Sequence, residues 1–176
     1  MIDNQKKVVF LDRDGVINKE INYLHKIEDV IFIDGVFETC RTIIERNYEI
    51  IIVTNQSGIS RKLYTYTDFK ILTEWMLEKF YENGVKILDV KFCPHLPSDN
   101  CNCRKPKPGL ILDAIEQYKI NASESIMVGD TENDIIAAKL SNIKKTFLVR
   151  SGHEIDENTS SAKNIIESIA DLRLHM

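Results

Sequence analysis

The stretch at 7–16, Lys7-Val8-Val9-Phe10-Leu11-Asp12-Arg13-Asp14-Gly15-Val16, joins an unbroken apolar run to two closely spaced carboxylates. A short β-branched run of this kind reads as a strand covered on both faces, as strands of a parallel sheet are. It ends at Asp12. A chain leaving the strand there can bring Asp12 and Asp14 to one ion, and Gly15 permits a tight bend. Two ionised carboxylates this close repel unless a cation binds. Mg2+ suits them because it takes a few hard oxygens, keeps waters and bridges to substrate phosphate. The competing reading is a turn with solvated aspartates.

The pattern recurs outward from this stretch. Apolar runs at 49–53, 87–92, 125–128 and 145–149 end at Thr54, Cys93, Gly129-Asp130 and Arg150. Helical spacing lies between them. Val36, Cys40, Ile43 and Ile44 share one face, and Phe69, Leu72, Met76 and Phe80 share another. Residues 109–118 and 135–140 read as shorter helices, and 164–172 as a closing one. Alternating strands and helices predict an α/β fold: a Rossmann-like open parallel sheet with helices on both faces. Residues 1–176 read as a single domain. Sheets of this type bind ligands at the carboxyl ends of their strands, and each polar motif falls there.

Thr54-Asn55-Gln56-Ser57-Gly58 follows the second strand. Its hydroxyl and backbone N–H groups can donate to a phosphoryl oxygen, or it can serve as a turn and helix cap. Gly129-Asp130-Thr131-Glu132-Asn133-Asp134 follows the fourth strand. Asp130 is placed to complete the metal site. Asp134, a turn further on, either supports that site or favours a helix dipole. Arg104-Lys105-Pro106-Lys107-Pro108-Gly109 precedes a helix, with Pro108 suited to its first turn. A lysine here can neutralise phosphoryl charge.

Cys93-Pro94-His95 and Cys101-Asn102-Cys103 form a C-x-H…C-x-C set with five residues between the halves. Three thiolates and an imidazole make a closed tetrahedral Zn2+ site, which reads as structural and anchors Arg104 and Lys105. The loop at 93–103 has no apolar core of its own, so a metal would hold its shape. Cys40, on an apolar helical face, reads as core. His25 reads as a surface residue, and His153 and His175 carry no signal.

Taken together, the four segments from Phe10 to Asp134 resemble the haloacid dehalogenase superfamily of phosphotransferases, with its motifs in the family's order. The resemblance implies that Asp12 is a nucleophile and Asp14 a general acid and base. Thr54 and Lys105 would hold the phosphoryl group, and Asp12, Asp130 and the Asp14 backbone carbonyl would hold Mg2+. DRDGVIN, NQSGIS, CPH, CNCRKPKPG and GDTENDIIAA are similar to the histidinol-phosphatase-like branch, and within it to the D-glycero-D-manno-heptose 1,7-bisphosphate 7-phosphatases. That group lacks a large cap domain, and this chain is too short to hold one. The likeness implies a phosphorylated sugar substrate on a route to nucleotide-activated heptose. Its contacts would come from Asp12, the backbone N–H of Arg13, Asp14, Glu20, Ile21, Asn22, Tyr23, Thr54, Asn55, Gln56, Ser57, Lys105 and Thr131. Arg104 would grip the second phosphate bidentately. The side chain of Arg13 reads as a surface residue. Lys107 stands where the heptose enzymes often carry His, so it competes with Lys105 for the phosphoryl role. Histidinol phosphate is the alternative substrate. A zinc-stabilised binding domain without catalysis is the alternative of another class.

Composition sets bounds on all of these readings. The chain has 176 residues, 23 basic against 27 acidic, a net charge of −4, and 43% apolar residues. This suits one globular domain, and no basic surface points to nucleic acid. The segment at 1–7 has no apolar signal core, and no run is long enough to cross a membrane. The expectation is a cytoplasmic monomer.

Overall fold

A computed structural model describes residues 5–176, in which six parallel strands form one sheet. They are β1 (Val8–Leu11), β2 (Glu49–Asn55), β3 (Asp89–Cys93), β4 (Ile126–Gly129), β5 (Lys145–Val149) and β6 (Asn164–Ile166), in the order β3-β2-β1-β4-β5-β6. The order reverses direction at β1, so a crevice opens beyond the carboxyl ends of β1, β2 and β4. Of the polar N-terminal segment at 1–7, residues 1–4 lie outside the described residues.

Side chains alternate across a strand, and β1 divides accordingly. Val9 and Leu11 pack with α1 (Val36–Glu45) and α2 (Tyr66–Glu82). Val8 and Phe10 pack with α3 (Gly109–Tyr118) and α4 (Glu132–Leu140) on the opposite face. All four β1 side chains are fully buried. The predicted stripe of α2, Phe69, Leu72, Met76 and Phe80, is its buried face. On α1, Val36, Cys40 and Ile43 are buried, whereas Ile44 lies at the exposed margin of the stripe.

The predicted closing helix at 164–172 is a correction. Asn164–Ile166 is β6, paired with β5, and a 3-10 helix follows at Ile169–Leu174. A short apolar run has no period of its own, and the free edge of β5 decides its conformation. Helix α4 begins at Glu132, before the predicted 135. Thr131 and Asp134 form a capping box there: the Asp134 carboxylate accepts from the Thr131 N–H at 3.1 Å. Among the described residues, no helix is long and apolar enough to cross a membrane.

Candidate active site

The predicted catalytic and metal-binding residues converge on the crevice, most of them from strand ends. Asp12 follows β1, Thr54 lies in the last turn of β2, Asp130 follows β4, and Lys105 enters from the loop before α3. The cleft encloses about 270 Å3. Its walls include all the predicted contact residues: Arg13, Asp14, Glu20, Ile21, Asn22, Tyr23, Asn55, Gln56, Ser57, Arg104 and Thr131.

Lys105 is 2% exposed, and its ammonium has three acceptors. Asp12 Oδ2 lies at 3.0 Å, Asp134 Oδ1 at 2.5 Å and the Val53 carbonyl at 2.7 Å. Burial pulls the Lys105 amine down, but Asp12 and Asp134 outweigh it and hold the group above its ordinary value. Its backbone is clamped as well. The Lys105 N–H donates to Asn55 Oδ1 at 3.1 Å, and Asn55 Nδ2 donates to the Lys105 carbonyl at 3.0 Å. Asn55 therefore lines the cleft with its amide engaged. Lys107 does not line the cleft; its ammonium donates to the Asn100 carbonyl on the exposed side of the loop.

Asp14 faces a different set of groups. Arg13 Nε donates to Oδ1 at 3.1 Å and Nη2 to Oδ2 at 2.8 Å, Asn18 donates to Oδ1 at 3.0 Å, and Gln56 Nε2 to Oδ2 at 3.1 Å. This corrects the reading of Arg13 as a surface side chain: it is 3% exposed and folds back onto its neighbour. The Arg13 N–H, expected to face phosphate, donates to Asp12 Oδ1 at 2.7 Å in this structure.

The carboxylates that cluster are Asp12, Asp130 and Asp134, with one oxygen of each within 4.8 Å of the others. Both oxygens of Asp134 are already engaged, by Lys105 and by Thr131. Burial pushes the Asp12 carboxyl well up, Lys105 pulls it back, and Asp134, Asp130 and Asp14 push it up again. Burial and Asp134 likewise raise Asp130, against donation from His153. Two buried carboxylates and the half-buried Asp12, facing one ammonium, offer hard oxygens that fit Mg2+. Gly15 adopts φ of 81°, and a Cβ there would collide with the Asp130 carboxylate.

The geometry agrees with comparison to known proteins. The family model for haloacid dehalogenase-like hydrolases matches residues 3–148. The chain belongs to this family. It is 46% identical over 169 residues to the D-glycero-alpha-D-manno-heptose-1,7-bisphosphate 7-phosphatase of Photorhabdus laumondii, covering 92% of each chain. It is 41% identical over 174 residues to the D-glycero-beta-D-manno-heptose-1,7-bisphosphate 7-phosphatase of Pasteurella multocida, covering 95% of each. Among solved structures, the D,D-heptose 1,7-bisphosphate phosphatase from B. bronchiseptica, complexed with magnesium and phosphate, matches with a TM-score of 0.86. The two are 25% identical, over 96% of this chain and 97% of that one.

In this haloacid dehalogenase-like hydrolase the loop after β3 gathers Cys93, His95, Cys101 and Cys103. The three sulfurs are separated by 3.1, 3.5 and 3.6 Å, and His95 Nδ1 lies 3.3 and 3.5 Å from two of them. A disulfide would need about 2.05 Å, whereas Zn–S bonds of ~2.3 Å set tetrahedral edges of roughly 3.8 Å. The donor set fits zinc. The Arg104 guanidinium donates to the His95 carbonyl at 3.3 Å, which ties the loop to the cleft.

Four residues of the cleft wall were not found from the sequence: Gly58, Tyr64, Asn133 and His153. His153 donates its backbone N–H to Asp130 Oδ2 at 3.1 Å, and its Nδ1 lies 2.6 Å from the same oxygen. It follows β5, so the strand-end rule that flagged the other motifs points to it as well. His25 stacks on Tyr64, with ring centroids 5.2 Å apart.

Proposed function

We propose that this hydrolase removes the 7-phosphate of D-glycero-D-manno-heptose 1,7-bisphosphate, a step toward nucleotide-activated heptose, in the cytoplasm and as a monomeric single domain. The observation that carries the chemistry is the Asp12 carboxylate at the tip of β1, 3.0 Å from a buried ammonium and grouped with Asp130. The names of the relatives carry the substrate.

Asp12 attacks phosphorus in line, the ester bond breaks, and an aspartyl-phosphate forms. Asp14 gives its proton to the leaving alkoxide and later takes one from the attacking water. To do so it must exchange one of its present donors for the leaving oxygen. Thr54 and Lys105 hold equatorial phosphoryl oxygens, where negative charge gathers. Thr54 is suited to this because its oxygen already accepts from Gln56 Nε2 at 2.9 Å, which leaves its own O–H to donate. Asp12, Asp130 and the Asp14 carbonyl would hold Mg2+. When bound, the ion supplies positive charge for the phosphoryl oxygens and screens the carboxylates from the incoming anion. Glu20, Ile21, Asn22, Tyr23, Ser57 and Thr131 shape the sugar site, and Arg104 takes the second phosphate. Zn2+ would shape the loop that carries Arg104 and Lys105.

Phosphate release from both anomers of the bisphosphate, from histidinol phosphate and from p-nitrophenyl phosphate tests the assignment. One bisphosphate anomer leads in kcat/KM by about a hundredfold or more, some 2.7 kcal/mol of transition-state preference. Equal turnover of all four overturns the heptose assignment and leaves the phosphatase standing. Asp12→Asn lowers turnover by about 10^3-fold or more. A variant as fast as wild type would remove Asp12 as the nucleophile.

A further inference from the structure

We propose that Tyr64 is a positioning residue that acts through Gln56 on both Asp14 and Thr54. The proposal rests on the reading of Asp14 as acid and base given above.

The geometry is a chain of buried hydrogen bonds leading into the site. The Tyr64 hydroxyl donates to Gln56 Oε1 at 2.5 Å, and Gln56 Nε2 donates to Asp14 Oδ2 at 3.1 Å and to Thr54 Oγ1 at 2.9 Å. Tyr64, Gln56 and Thr54 are all buried. The Gln56 amide stands with Nε2 toward Asp14 and Thr54 and Oε1 toward Tyr64, the orientation that gives every member of the chain a partner. Among the described residues, the phenolic proton is the one directed at that oxygen. Burial and the charge of Asp14 push the Tyr64 hydroxyl up to about 12, against Arg13, so it stays a donor through the neutral range.

Without the phenol, the Gln56 oxygen is buried with no partner, and the amide gains by rotating away from its present orientation. Rotation would turn a lone pair toward Asp14 and remove the donor from Thr54. One hydroxyl thus sets both the donor at the acid/base carboxyl and the donating direction of Thr54. Tyr64 is itself held from outside the site. Its ring lies against the backbone at Gly58, where any Cβ would overlap it, and His25 stacks on it.

The test compares kcat/KM of Tyr64→Phe on two esters, because that ratio reports the steps through departure of the leaving group. An alkyl phosphate such as the sugar bisphosphate needs a proton from Asp14, whereas p-nitrophenolate leaves without one. The variant loses about tenfold more on the alkyl ester, which feels both Asp14 and Thr54, than on the aryl ester, which feels Thr54 alone. Equal losses on both esters, or none on either, overturn the proposal. Gly58→Ala, which displaces the ring without removing the hydroxyl, gives the same split if the proposal holds; an even loss counts against it. Gln56→Leu combined with Tyr64→Phe is no slower than Gln56→Leu alone, and additive losses overturn the route through Gln56. Asp14→Asn in the same assay separates the two layers. If it shows no split between esters, the acid/base reading fails. If it shows the split and Tyr64→Phe does not, only the role of Tyr64 fails.

Discussion

At Lys105 the fold supplies one acceptor for each ammonium proton, from β1, from β2 and from α4. Lys105→Met keeps most of the side-chain volume and removes the charge, so Asp12 and Asp134 are left buried with nothing between them. Removing one partner of a buried ionic group costs about 3–5 kcal/mol, and losing the charge at the phosphoryl site lowers kcat by ~10^2-fold or more. Denaturant unfolding and steady-state kinetics on the same preparation check both. Because the Lys105 amine is raised in the folded state, its contribution is fully present below the unfolded lysine value. It is lost only as pH rises through the folded value, above roughly 10.4. The lysine's own titration therefore adds no pH dependence to the deficit across the neutral range. The sequence places a lysine near the phosphate but leaves Lys105 and Lys107 equivalent, because the acceptors that separate them are up to 93 positions away along the chain, at Asp12. Arg13 was misread for the opposite reason. Its partner is the adjacent residue, and a pattern that treats both aspartates as metal-facing has no place for a guanidinium folded back onto one of them.

Helix α2 shows what a local signal can settle. Thr65 is its N-cap, accepting the Asp68 N–H at 3.1 Å, while the Asp68 carboxylate accepts the Thr65 N–H at 2.7 Å. Thr65→Ala costs about 1 kcal/mol, which lowers Tm by roughly 2–4 °C at this size. The Thr65 N–H and hydroxyl hold the Asp68 carboxyl below its ordinary value. The contribution of Asp68 is thus complete above the unfolded aspartate value, about 3.9, and is lost as pH falls through the depressed folded value. Thermal melts at pH 7 and near pH 2.5 show the difference between variant and wild type shrinking in acid; a constant difference would exclude the ionised cap. Long amphipathic elements such as α2 and α3 are legible because their period repeats over several turns. The run at 164–166 is not, since three residues carry no period and β6 exists only because β5 offers an unpaired edge.

On the scale of the molecule, the sheet and the Cys/His loop at 93–103 divide the work of holding the site. Asp12, Thr54 and Asp130 stand on strand ends whose packing is complete without the loop. Arg104 and Lys105 instead follow Cys103 directly, between the Cys/His cluster and α3. The strand-end rule located the first group from sequence because every parallel strand delivers its last residue to the same side of the sheet. The loop was legible as a ligand set, since three cysteines and a histidine at close spacing have few other uses, but the tie of the segment after it to the cleft, through Asn55 and Lys105, is long-range. A chelator strong enough to strip zinc therefore separates two stabilities. Metal analysis of the untreated protein finds one zinc per chain. Stripping it removes about 4 kcal/mol if zinc stands a thousandfold above its Kd, and Tm falls by ~10 °C. Limited proteolysis of the stripped protein cuts first within 94–102, and activity falls with the cut even in saturating Mg2+. Zinc restores Tm and protease resistance together. If stripping leaves the loop resistant and Tm unchanged, the four ligands hold their places by packing alone, and Lys105 owes its position to Asp12, Asp134 and Asn55.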